Sequence, residues 1–110
     1  MHTPLERLEI MPMASGNASL LLTERVEWEL FPAYAEAILQ VLDGEVVDRV
    51  DGPDQRVWTV RIGSQVFWLA YEDYPVGVSL DPQNASASAL IPGIRQKLLE
   101  RRAASAAADR

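Results

Sequence analysis

The chain of 110 residues is 48% hydrophobic and carries a net charge of −6, enough apolar content for one domain with its own core. Cysteine is absent, which excludes a disulfide framework, a thiolate nucleophile and thiolate metal ligation and is compatible with a cytoplasmic location. Residues 1–43 carry −5, residues 44–82 carry −4 and residues 83–110 carry +3. Such an acidic body repels a phosphate backbone, so no nucleic-acid partner is expected.

In chain order, the start MHTPLERLEI lacks the basic and apolar regions of a signal peptide. Leu5–Met11 alternates Leu5, Arg7 and Glu9 against Glu6, Leu8 and Ile10, which predicts a strand. Pro12 and Ser15-Gly16-Asn17 form a loop, and Ala18–Leu22 is its hairpin partner. Residues 29–43 predict a helix whose apolar stripe is Leu30, Tyr34, Ala37, Ile38, Val41 and Leu42. Pro32 belongs in its first turn and Gly44 ends it as the left-handed cap residue. Trp28 and Phe31 flank its start as packing anchors. Glu45–Val50 is the next strand, with Asp51–Asp54 as its turn. A four-residue loop pairs Val50 with Gln55, whereas a five-residue loop pairs Val50 with Arg56. The second is preferred because it turns Val46 and Val50 toward the core and leaves Val47, Arg49 and Asp51 outward.

Arg56–Leu80 reads as three consecutive antiparallel strands. Gly63-Ser64 suits a type II′ turn and pairs Ile62 with Gln65, Val60 with Phe67, Trp58 with Leu69 and Arg56 with Tyr71. The turn Glu72–Pro75 then sets Tyr71 against Val76, Leu69 against Val78 and Phe67 against Leu80. By alternation these residues share one apolar face. The other face holds Val57, Thr59, Arg61, Val66, Trp68, Ala70, Gly77 and Ser79. Trp68 falls opposite Thr59 and diagonal to Arg61, so it either meets Arg61 in a cation–π contact or lies under another segment of the chain. Cover by the N-terminal strands or the C-terminal helix is favoured, because an exposed tryptophan is uncommon. Beyond Leu80, Asp81-Pro82 turns the chain, and Asn84–Ile91 contributes a helical turn. A helix follows over 92–102 with Leu90, Ile91, Ile94 and Leu98 facing in. Arg95, Lys97, Arg101 and Arg102 are accounted for by the dipole at its C-terminal end. Residues 103–110 form an Ala-rich tail expected to be disordered. The expected architecture is a single α+β domain over 1–102: an antiparallel sheet, with a four-strand meander at about 45–80 and an N-terminal strand pair, layered against helices at 29–43 and 92–102.

Chemistry has few carriers here. His2 is the sole histidine and sits at the terminus, so a Ser-His-Asp triad and a histidine metal site are discounted, and no nucleotide-binding glycine motif is present. No cofactor and no catalytic residue are assigned. In a meander alternate turns share one end of the sheet, which gathers Asp51, Asp54, Glu72 and Asp73 with Arg49, Arg56 and Tyr74 close by. Asp, Gly and Pro form turns in water regardless of function; the alternative is a hard-cation site, and the turn explanation is favoured. No apolar run nears the ~18 residues needed to span a bilayer, so no membrane association is expected.

The segments Val50-Asp51-Gly52-Pro53-Asp54, the Trp58 strand and the run from Phe67 to Leu80 resemble a family of small proteins of unknown function from Gram-negative bacteria, over about residues 26–102. The resemblance implies a bacterial, soluble, stand-alone domain and carries no activity or catalytic residue with it. Two functional classes remain. The first, preferred, is a protein-binding or adaptor module, with another protein or a second copy bound at a surface around Trp68, Arg61 and Thr59. The second is a small ligand- or divalent-cation-binding protein, or an enzyme, using Asp51, Asp54, Arg56, Glu72, Asp73 and Tyr74.

Overall fold

Alternating apolar residues give six strands among the described residues: β1 (Glu9–Pro12), β2 (Ala18–Thr23), β3 (Glu45–Asp51), β4 (Gln55–Ile62), β5 (Gln65–Asp73) and β6 (Val76–Pro82). In the computed structural model, which describes residues 4–73 and 76–108, they form one antiparallel sheet in the order β1-β2-β6-β5-β4-β3. Three helices, α1 (Phe31–Val41), α2 (Ala85–Ser88) and α3 (Ile91–Ala108), complete the α+β fold. Their buried side chains share a single core with Leu20, Leu22, Trp58, Val60, Phe67, Leu69, Tyr71, Val78 and Leu80 of the sheet.

The β4–β5 register is the predicted one, from Arg56 opposite Tyr71 to Ile62 opposite Gln65. Of the two turn residues only Gly63 has a positive φ, 63°, as a type II′ turn requires. The β5–β6 register differs. Tyr71 faces Val78, Leu69 faces Leu80 and Phe67 faces Pro82, because β5 runs on through Asp73 and the connection is shorter than expected. A slip of two residues preserves side-chain parity, so the same face stays apolar. Tyr74 and Pro75, expected in this turn, lie outside the described residues, as does His2.

β3 follows neither predicted register throughout. Val46 faces Val60, but a bulge at Val47 shifts the rest, so that Asp48 faces Thr59, Arg49 faces Trp58 and Val50 faces Val57. Val50 therefore points away from the core and is 60% exposed. Arg49 instead lies on the helix side, 4.4 Å from the Trp58 ring centroid and 3.6 Å from Glu36 of α1.

The helix predicted over 29–43 begins with a 3-10 turn at Trp28–Leu30 and becomes α-helical at Phe31. That start changes the phase of its stripe. Leu30 is 60% exposed, while Phe31, Tyr34, Ala35, Ile38 and Leu39 are buried. Phe31 packs edge-on against Trp58 at 5.3 Å between centroids. At the other end Asp43, not Gly44, takes the left-handed conformation with φ 54°. Gly44 N–H donates to Leu39 O at 2.8 Å and Asp43 N–H to Gln40 O at 3.4 Å, which is a Schellman closure.

Residues Pro4–Leu8 are not a strand, since Leu8 turns the chain with φ 47°. They lie as a strap whose Leu5 and Leu8 are buried. Tyr34 Oη donates to Pro4 O at 2.8 Å, Arg95 Nε to Leu8 O at 2.7 Å and Arg102 Nη1 to Leu5 O at 2.8 Å. The dipole account of these arginines is thereby replaced. α3 continues to Ala108, so Arg95 stands near its beginning. The tail read as disordered is helical through Ala108, consistent with alanine having the best helix propensity. Asn84 caps α2, its Oδ1 accepting from Ala87 N–H at 2.8 Å.

Candidate functional site

Among the described residues all the helices pack on one side of the sheet and leave the other side open. Alternation places on it Val57, Thr59 and Arg61 of β4, Val66, Trp68, Ala70 and Glu72 of β5, Gly77, Ser79 and Asp81 of β6, and Ser19 and Leu21 of β2. Trp68 stands in the middle of this face and is 46% exposed. The expected cover is absent: the N-terminal strands extend the sheet edge beside β6 instead of stacking on it, and α3 packs on the opposite side. The middle row runs Asp48, Thr59, Trp68, Asp81, Ser19 and Met11 across the strands. Asp81 is directly opposite Trp68, and it accepts hydrogen bonds from Ser19 Oγ and from Ser79 Oγ, the latter at 3.5 Å. Thr59 is half-buried between Trp68 and Asp48. Arg61 does not stack on Trp68; its guanidinium pairs with Glu45 across β3.

The acidic turn residues do not gather at one point. Asp51 lies 3.0 Å from Arg56 Nε, and Arg56 donates through Nη1 to Trp28 O at 2.7 Å while stacking 4.4 Å over the Trp28 ring. The Nε contact is an ion pair without hydrogen-bond alignment, and among the described residues neither Arg56 Nε nor the buried Trp58 Nε1 has a hydrogen-bond partner. Asp73 accepts from Tyr71 Oη at 3.0 Å. Burial raises the Tyr71 phenol above its usual range, and that hydrogen bond and the charges of Asp73 and Glu27 reinforce the shift. Asp54 is exposed in its turn, and Glu72 belongs to the open face. Parity therefore sends Arg56 and Asp73 to the helix side and Glu72 to the other. Among the described residues no three His, Asp or Glu side chains converge as metal ligands.

Residues 8–93 match the model of a family described as "Protein of unknown function (DUF3630)". The chain belongs to that family. The DUF3630 match begins earlier than the resemblance seen in the sequence and takes in every strand, hence the whole open face. No curated protein and no solved structure matches the chain.

The face read from the sequence omits Asp48, Glu72 and Asp81, along with Ser19 and Leu21 of β2. Asp81-Pro82 has the composition of a turn, although continuing the β6 alternation past Leu80 puts Asp81 beside Trp68. Asp48 was hidden by the bulge, which no residue pattern announces. Apart from this face, a cleft of about 750 Å³ lies between the end of α1 and the start of α3, lined by Leu42, Ile62, Leu90, Gly93, Ile94 and Lys97 among others. No helix among the described residues is long and apolar enough to cross a membrane.

Proposed function

We propose that this chain is a protein-binding or adaptor module, acting in the bacterial cytoplasm, and that the open face of its sheet is the recognition surface. The exposure of Trp68 carries this proposal. A tryptophan in the middle of a six-stranded sheet, 46% exposed and flanked by half-buried Val57 and Val66, keeps apolar area in water that a partner's surface would remove. Tryptophan is also among the residues that most often anchor interfaces. The poor supply of catalytic groups and the absence of cysteine favour binding over chemistry. The resemblance to Gram-negative proteins supports the bacterial setting.

The test is a paired measurement on Trp68→Ala. The variant is expected to keep its urea midpoint, since surface substitutions change stability by only about 0.5 kcal/mol. Capture from native lysate, with partners identified by mass spectrometry, should then recover a protein on the wild type that the variant loses or binds about 2 kcal/mol more weakly. A loss of about 3–5 kcal/mol of stability, the scale for a tryptophan in a core, with capture unchanged, would show that Trp68 is a packing residue.

A further inference from the structure

We infer that the partner at the open face is a protein segment presenting arginine or lysine to Trp68, with apolar side chains beside it; this rests on the proposal that the open face is a recognition surface. The charges of that face are unbalanced. Among the described residues its strands carry the acids Glu9, Glu45, Asp48, Glu72 and Asp81 against the single base Arg61. Glu9 is matched by Arg7 at 2.7 Å and Glu45 by Arg61. Among the described residues Asp48, Glu72 and Asp81 have no arginine or lysine nitrogen within 4.0 Å. Asp48 and Asp81 bracket Trp68 in its own row, Asp81 one strand spacing away, about 4.8 Å. An indole attracts a cation over its ring, and a carboxylate one strand away supplies the second contact a guanidinium makes in its plane. Asp81 is already oriented by the Ser19 and Ser79 hydroxyls, so little ordering is needed on binding. Val57, Val66 and Leu21 offer apolar surface to the neighbouring residues of the segment. A second copy does not fit, because a two-fold contact would set this acidic surface against itself. Nucleic acid is repelled for the same reason.

The test titrates the full-length, isotope-labelled protein with three synthetic strand-forming peptides of equal length, alternating Arg-Leu, Gln-Leu and Glu-Leu. Expected is binding of the Arg-Leu peptide, with amide and indole shifts centred on Thr59, Trp68 and Ser79. Its affinity should fall about tenfold, near the low end of what a hydrogen bond to a charged group contributes, in Asp48→Asn/Asp81→Asn, a variant whose urea midpoint confirms that it folds. Affinity should also fall as salt is raised. Equal binding of the Gln-Leu peptide, or equal affinity in the Asn variant, overturns the basic partner. If Trp68→Ala still abolishes that binding, the recognition surface itself stands. Undiminished binding to Trp68→Ala, or shifts centred elsewhere, overturns both. A wild-type dimer in sedimentation that is lost in Trp68→Ala identifies a second copy as the occupant and overturns the inference.

Discussion

A Cβ added at Gly44 would lie 3.0 Å from Leu39 Cδ2, 3.1 Å from Arg61 O and 3.1 Å from Ile62 Cγ1. One of those neighbours is backbone, so the helix end would have to move off the sheet. Gly44→Ala is therefore expected to lower the stability measured by urea unfolding by about 1–3 kcal/mol, as overpacking does; an unchanged midpoint would contradict this close approach. The sequence marks Gly44 as a helix stop, but the left-handed residue is Asp43, and glycine is needed next to it for space. Glu6 offers a second residue-level test. Burial works to raise its pKa, yet hydrogen bonds from Thr23 Oγ1 and from Glu24 N–H at 2.7 Å, with the charge of Arg25, hold it below the usual 4.5. Its charged form is thus favoured by folding. The stabilisation is complete above pH 4.5, the unfolded value, and fades as pH falls through the lower folded value. Glu6→Gln should be less stable than wild type at neutral pH and should match it in acid. A stability difference that is the same at every pH would rule this out.

At the scale of elements, the sheet was legible where local chemistry sets it. Gly63 fixes one register, and alternation fixes which face of β4, β5 and β6 is apolar. What escaped was phase. The 3-10 start of α1 exchanged Leu30 for Phe31 in the buried stripe, and the β3 bulge exchanged Val50 for Arg49 on the helix side. Both shifts depend on contacts remote in sequence, with Trp58 and Glu36 among them, so no local window contains them. The fate of Trp68 was illegible for a related reason: whether an added hairpin extends a sheet or stacks on it is decided by β2 finding β6. The N-terminal strap is tied to α3 by two arginine–carbonyl bonds. In Arg95→Ala/Arg102→Ala the amide of Arg7, which reaches Leu22 O at 3.4 Å, should exchange with solvent markedly faster. Amides of β4 and β5 should keep their protection, since local openings of this kind spare the core. Equal protection at Arg7 in both proteins would show that buried Leu5 and Leu8 hold the strap unaided.

For the whole molecule, the acidic body and the basic final segment are not separate surfaces, because Arg95 and Arg102 of α3 turn back onto the strap. One consequence of the strand order concerns how the chain reaches this structure. β3 through β6 join neighbours in sequence by short turns, whereas Leu20 meets Leu80 only after the entire intervening chain has been gathered. Closing a loop costs entropy that grows with its length, by about 0.6 kcal/mol per doubling, so short hairpins form first and long closures wait. The meander should therefore already be assembled in the folding transition state, with the N-terminal hairpin docking afterwards. Leu69→Ala and Leu20→Ala each remove a fully buried leucine and should each cost about 2–5 kcal/mol at equilibrium. Stopped-flow kinetics should divide them: Leu69→Ala slows refolding, while Leu20→Ala leaves refolding nearly unchanged and hastens unfolding. The opposite division would mean that the hairpin at the far edge, and not the meander, nucleates the sheet.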